Sequence, residues 1–207
     1  LKENQAISEM ANFIYIRQKG LYGNGTPVLS AEPAIEDEFF AVLWGDEFIS
    51  SDPPRLAQMM AVHQKYGGAV ISGVRIEKKD DLRRYGIAAV EHIEGNVYRI
   101  QKIVEKPDPQ AAPSNLATHG AYILPPEIFQ ILRHQPPGTG GEIYLPEAID
   151  QLIKTGYPVY TAEIVNCKYY DTGNKLEYLK TVIEFAIKRE DLGPDLKDYL
   201  HQLLDKN

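Results

Sequence analysis

Six consecutive apolar residues, Phe39-Phe40-Ala41-Val42-Leu43-Trp44, constrain this chain more than any other segment. The run is far short of the roughly 20 residues a membrane helix needs. It shows no polar alternation, so it predicts a strand buried on both faces, as in a parallel sheet. Residues 13–17, 69–76, 86–93, 97–104, 117–124 and 159–165 are also expected as strands, from their β-branched and aromatic content. Thr26-Pro27 reads as an N-cap followed by Pro at the first helical position. Ser51-Asp52-Pro53-Pro54 opens a helix that Gly67-Gly68 stops. Leu145, Ala148, Ile149, Leu152 and Ile153 form an amphipathic helical stripe, and two more follow at 176–187 and 196–204. Strands alternating with helices predict an α/β fold with a mostly parallel central sheet flanked by helices.

Composition removes several function classes. The 207 residues carry 22 Lys+Arg against 29 Asp+Glu, a net charge of −7, which argues against nucleic acid as a partner. No apolar run is long enough for a membrane helix, and no signal peptide is visible, so a cytoplasmic protein is expected. The single cysteine, Cys167, excludes an intrachain disulfide and every multi-cysteine metal site. The five histidines are scattered, with no His-Glu-x-x-His.

In open parallel sheets, ligands bind beyond the carboxyl ends of strands. Gly45-Asp46-Glu47 directly follows the apolar run. A carboxylate there suits a divalent cation held against phosphates, or it caps a turn. Asp171 in Tyr170-Asp171-Thr172-Gly173 offers the same two roles, metal ligand or helix cap. Glu105-Lys106-Pro107 combines a hydrogen-bond acceptor for sugar hydroxyls with a point charge for a phosphate, or is an exposed ion pair. The loop Gly23-Asn24-Gly25-Thr26 lets backbone N–H groups approach an anionic or planar ligand, although it is not a P-loop.

Taken in order, these segments resemble the sugar-phosphate nucleotidyltransferase family. The resemblance runs through Ile16-Arg17-Gln18-Lys19 to Gly25, Val42 to Asp46, Arg84-Tyr85-Gly86-Ile87, Val104-Glu105-Lys106-Pro107 with Ala112 to Ala117, Gly120 to Leu124, Gly141 to Leu145, and Asp171 to Leu176. It implies a Rossmann-like fold that transfers a uridylyl group from UTP to a sugar 1-phosphate, glucose 1-phosphate foremost, releasing pyrophosphate. It further implies that Gln18 and Gly23 recognise the base and that Asp46 binds Mg²⁺, with Asp171 as a second metal ligand. Gly86, Glu105 and Gly120 would hold the sugar, and Lys106 its phosphate. Homo-oligomers are common in the family.

Some residues depart from the family pattern. The Gly-rich loop ending in Gly-Thr-Arg, which cradles the triphosphate, does not occur in these residues. The expectation is therefore a truncated chain, inactive alone, with its first strands missing. Residues 1–190 would be the catalytic domain and 191–207 a C-terminal helix. Asn24, Thr26 and Pro27 replace the usual Leu, His and Ala, and Asn24 falls near the expected sugar. Glu47 replaces a second Asp. Three other readings compete: a nucleotidyltransferase for another nucleoside triphosphate or sugar, a metal-dependent glycosyltransferase using Asp46-Glu47, and a non-catalytic subunit that binds nucleotide sugars.

Overall fold

The computed structural model describes residues 2–205, so Leu1, Lys206 and Asn207 of the expected catalytic segment and C-terminal helix lie outside the described residues. In chain order the elements are α1 (Lys2–Glu9), α2 (Gly25–Ala31), β1 (Phe40–Leu43), β2 (Glu47–Ser51), α3 (Arg55–Tyr66) and β3 (Ala69–Arg75). Then come β4 (Gly86–Glu94), β5 (Val97–Glu105), β6 (Leu116–Leu124), α4 (Glu127–His134) and α5 (Leu145–Lys154). The chain continues through β7 (Val159–Glu163), β8 (Cys167–Asp171), α6 (Lys175–Lys188) and α7 (Gly193–Leu204). No helix among the described residues is long and apolar enough to cross a membrane.

The main sheet has the order β1-β6-β3-β7-β5-β4. It is mostly antiparallel, which corrects the expected parallel sheet: only β3 and β7 run parallel. The connections explain this. Only Gly95 and Asn96 separate β4 from β5, and such a link permits only an antiparallel hairpin. Gly95 takes the left-handed conformation that this turn needs, with φ +52°. No α-helix separates β5 from β6 either, so a right-handed parallel crossover has nothing to build it.

Alternation along the central strands divides the core. Ile71, Tyr122 and Leu124 face α4 and α5, where Ile128, Leu132, Leu145, Ile149 and Leu152 close one layer. Val70, Ala121 and Ile123 face the other way and meet Met59 and Val62 of α3. The apolar run at 39–44 does form a strand, β1, but at the edge of the sheet, with Leu43 still 52% exposed. Residues 13–17 form no strand; they are exposed, because a strand exists only by pairing and nothing pairs with them among the described residues. Helix α2 starts at Gly25 behind Asn24, so Thr26 lies inside the helix rather than capping it.

Two strands were not expected. β2 and β8 pair with each other in a separate two-stranded ribbon, Glu47 opposite Asp171 and Ser51 opposite Cys167. Their sequences, Glu-Phe-Ile-Ser-Ser and Cys-Lys-Tyr-Tyr-Asp, begin and end in polar or charged residues that read as turn material.

The sheet forks along one edge of β6. Residues 121–124 pair with β1, while Ala117 and Thr118 pair with the start of β4. Gly120 sits at the fork with φ +45°, and its carbonyl accepts from the Trp44 N–H at 3.2 Å. A methyl group at Gly120 would stand 1.2 Å from Glu47 Oε1. Gly120→Ala is therefore expected to destabilise the protein by about 1–3 kcal/mol, from backbone strain and from eviction of that carboxylate. Urea unfolding followed by circular dichroism checks it; a midpoint equal to wild type refutes the assigned role of Gly120.

Candidate active site

Asp46 leaves β1 just past the fork, and Asp171 ends β8. The ribbon brings them together. Thr172 donates from its N–H and its Oγ1 to the Asp46 carbonyl at 2.9 and 2.8 Å, and the Gly173 N–H adds a third bond at 3.1 Å. Asp171 Oδ1 accepts from the Gly173 and Asn174 N–H groups at 3.0 and 3.1 Å. Asp171 thus closes a turn over Gly173 and Asn174 and does not cap the next helix as anticipated: Asn174 caps α6, its Oδ1 accepting from the Leu176 and Glu177 N–H groups at 3.0 and 3.2 Å. A methyl group at Gly173 would lie 3.3 Å from Asp171 Oδ1 and 3.3 Å from Asp46 Oδ2, so the two carboxylates flank one small space.

This pair fits Mg²⁺ in chemistry: hard carboxylate oxygens, few in number, with room for phosphate oxygens and waters. No group of three or more His, Cys, Asp or Glu able to hold a metal occurs among the described residues. A cation here would depend on substrate oxygens to complete its shell.

On the opposite side of the fork, Gly86 and Glu105 face each other across β4 and β5. A methyl group at Gly86 would stand 2.9 Å from Thr118 Oγ1 and 3.1 Å from Glu105 Oε2. Thr118 Oγ1 donates to the Gly86 carbonyl at 3.1 Å. Lys106 adopts a left-handed backbone with φ +45°, uncommon for a residue with a side chain, and its N–H donates to the Tyr85 carbonyl at 3.0 Å. That bond and the Pro107 that follows hold the strained turn. Lys106 Nζ lies 3.9 Å from Glu105 Oε1 on a side chain 65% exposed, so the ammonium faces water and incoming anions.

Beside Glu105 opens a cleft of about 380 Å³, lined also by Ile103, Pro146, Glu147 and Lys154. Burial against its walls pushes the Glu105 carboxyl above the ordinary carboxylate range; Lys106 opposes this and Glu147 reinforces it.

The loop at 22–25 is laced to the entry of α5. Ile143 donates to the Tyr22 carbonyl at 2.8 Å, and the Gly25 N–H donates back to the Ile143 carbonyl at 2.9 Å. Gly23 has φ +110°, and a methyl group there would fall 2.2 Å from the Ile143 oxygen, so only glycine permits this approach. Asn24 Oδ1 accepts from the Leu145 N–H at 2.8 Å, satisfying one of the otherwise unmet donors at the start of α5. The Asn24 oxygen, expected beside the sugar, is thus engaged in holding α5. The loop then reaches the cleft through Pro146 and Glu147. Gln18 lies in an exposed stretch without regular structure.

Sequence reasoning did not single out the polar cluster between the two sides. Glu47 accepts from His119 Nδ1 at 3.2 Å and from Tyr169 OH at 3.2 Å, and Arg55 Nη1 lies 3.4 Å away. Burial alone would raise the Glu47 carboxyl, but His119, Arg55 and Tyr169 together hold it below the ordinary range. Its one sequence signal was the departure from a second Asp.

Known proteins fit this geometry. The nucleotidyl transferase family profile matches residues 2–186. The UTP–glucose-1-phosphate uridylyltransferase of Staphylococcus epidermidis is 40% identical over 203 residues, covering 98% of this chain and 69% of that protein. A UDP-glucose pyrophosphorylase solved with UDP-glucose superposes with a TM-score of 0.83 at 35% identity, covering 91% of this chain and 71% of that one. The UTP-bound enzyme of Acinetobacter baumannii gives 0.85 at 31% identity, over 97% and 69%. With the family profile matched over residues 2–186 and relatives about 40% identical over nearly the whole chain, the chain belongs to the nucleotidyl transferase family.

Proposed function

We propose that this chain carries the sugar-phosphate and metal side of a UTP–glucose-1-phosphate uridylyltransferase. One observation supports this most directly: the Asp46–Asp171 pair and the Gly86–Glu105–Lys106 group lie on two sides of a single fork at Gly120. A phosphoryl acceptor and its sugar need that juxtaposition.

The reaction asks little covalent help of the protein. An oxygen of the sugar 1-phosphate attacks the α-phosphorus of UTP, the bond to the bridging oxygen breaks, and pyrophosphate leaves. The protein contributes positioning and charge neutralisation. Lys106 places a positive charge on the sugar phosphate. Glu105 accepts hydrogen bonds from sugar hydroxyls, with Gly86 and Gly120 giving the ring close access to the backbone. Gln18 and the Gly23 loop contact the pyrimidine. Asp46 and Asp171 hold Mg²⁺, which when bound offsets the negative charge of the phosphate oxygens. Residues 1–190 carry this chemistry. The exposed apolar side chains of α6 and α7, Leu179, Val182, Tyr199 and Leu204 among them, support self-association.

Expressed from its full reading frame, the enzyme is expected to release pyrophosphate from UTP and glucose 1-phosphate, measured by a coupled phosphate assay. No release with any nucleoside triphosphate and sugar phosphate would sink the reading. The 207 residues alone, which hold no Gly-x-Gly-Thr-Arg segment, are expected to give none. Asp46→Asn should cost at least about 100-fold in Mg²⁺-dependent kcat, since it removes charge from the cation site; an unchanged rate removes Asp46 from that role. Glu105 accepts from the sugar as a carboxylate, and its pKa lies above the ordinary 4.5. Glucose 1-phosphate affinity is therefore present above that raised pKa and lost as pH falls through it, sooner than for an ordinary carboxylate. A KM–pH profile on wild type and Glu105→Gln checks this, the acid limb disappearing in the variant.

A further inference from the structure

The β2–β8 ribbon presents a mechanical problem that the main sheet does not solve. Asp46 immediately precedes it and Asp171 ends it, yet among the described residues it forms no ladder with the six-stranded sheet that carries Gly86, Glu105 and Gly120. Something other than strand pairing has to set the distance between the two halves of the site. The backbone bond from Trp44 to Gly120 holds one point, at the end of β1. The next residue able to do so is Glu47, the first residue of β2.

The Glu47 side chain crosses from the ribbon to β6. Its carboxylate lies over the bare α-carbon of Gly120, in the space a methyl group would need. His119, the neighbour of Gly120, donates to it from β6, and Tyr169 donates from β8 within the ribbon. Arg55, at the start of α3, pairs with the other oxygen. The members are held in turn. His119 is 3% exposed, with the Tyr85 ring 4.6 Å on one side and the Tyr169 ring 4.3 Å on the other. Tyr85 immediately precedes Gly86, and its carbonyl holds Lys106. One carboxylate thus touches the ribbon, β6 and α3, and through His119 and Tyr85 it reaches the turn that presents Gly86 and Lys106.

We propose that Glu47 is a positioning residue that sets the Asp46–Asp171 pair against the sugar-contacting strand through His119 and Tyr169, without touching substrate itself. The proposal rests on the uridylyltransferase reading above. It also gives a physical sense to the departure from Asp: a side chain one methylene shorter does not span from β2 to both His119 and the face of Gly120.

The test is calorimetric titration of UDP-glucose into the full-length enzyme, with Mg²⁺ and again with EDTA, together with thermal melts. Glu47→Gln keeps the shape but removes the charge that Arg55 and His119 hold. Its UDP-glucose Kd in Mg²⁺ is expected to rise about tenfold, and its Mg²⁺-to-EDTA affinity ratio to shrink at least threefold. Tyr169→Phe removes a single hydroxyl and leaves the ring packing; it is expected to weaken Mg²⁺-supported binding about threefold with Tm unchanged. A merely structural Glu47 would lower Tm and leave Kd within twofold of wild type in both variants, and that result overturns the proposal. Should Glu47→Gln not fold, Tyr169→Phe decides alone, and unchanged affinity there refutes it. Wild-type binding that ignores Mg²⁺ sinks the metal assignment instead, while the variant-to-wild-type ratio from the same titrations still decides the role of Glu47.

Discussion

The contact between the Glu47 carboxylate and the bare α-carbon of Gly120 is the joint on which the site is built. β6 changes partners at that point, from β1 to β4, and a continuous ladder would leave no opening there. Glycine opens it twice over. Its missing side chain makes room for the carboxylate, and its freedom to take φ +45° bends the strand away from the ladder. The carboxylate is desolvated, with its side chain 12% exposed, and so requires partners. Arg55, His119 and Tyr169 provide them from three different elements. Leaving such a charge unpaired costs about 3–5 kcal/mol, so the cluster is geometrically committed.

From that joint the two chemistries separate cleanly. Asp46 and Asp171 gather negative charge on the ribbon side, where the proposed function puts a cation. Lys106 stands exposed on the sheet side, where the proposed function puts a phosphate, on a strained turn and 3.9 Å from Glu105. The net charge of −7 is therefore no obstacle to polyanionic substrates. Local field, set by one lysine and one cation, outweighs the average over the surface. Glu105 adds a third tone to the site: a carboxyl kept short of full acidity by its cleft, suited to hydrogen bonding with neutral hydroxyls.

The loop at 22–25 shows how the candidate site reaches beyond the fork. Tyr22 and Gly25 bond to the Ile143 backbone on either side of Gly23, and the Asn24 side chain accepts from Leu145. The loop is thereby tied to the start of α5, and α5 supplies Pro146 and Glu147 to the cleft beside Glu105.

Helical stripes such as Leu145–Ala148–Ile149–Leu152, the strands from 69 to 124 and the ordered motifs were all legible in the residues alone, and the roles proposed for Asp46, Gly86, Glu105, Lys106, Gly120 and Asp171 rest on that motif order. Periodicity, turn chemistry and motif order are local properties, and the sequence by itself determined them. Strand partners are not local. The run at 39–44 has the composition of a doubly covered strand, yet its neighbours place it at an edge. Residues 13–17 have strand composition and find no partner among those described. Only the tertiary structure decided that the sheet is mostly antiparallel, that β2 and β8 pair across more than a hundred residues of sequence, and that Glu47 meets His119. Each of those depends on hydrogen-bond partners and buried charges supplied by distant segments, which no local pattern encodes.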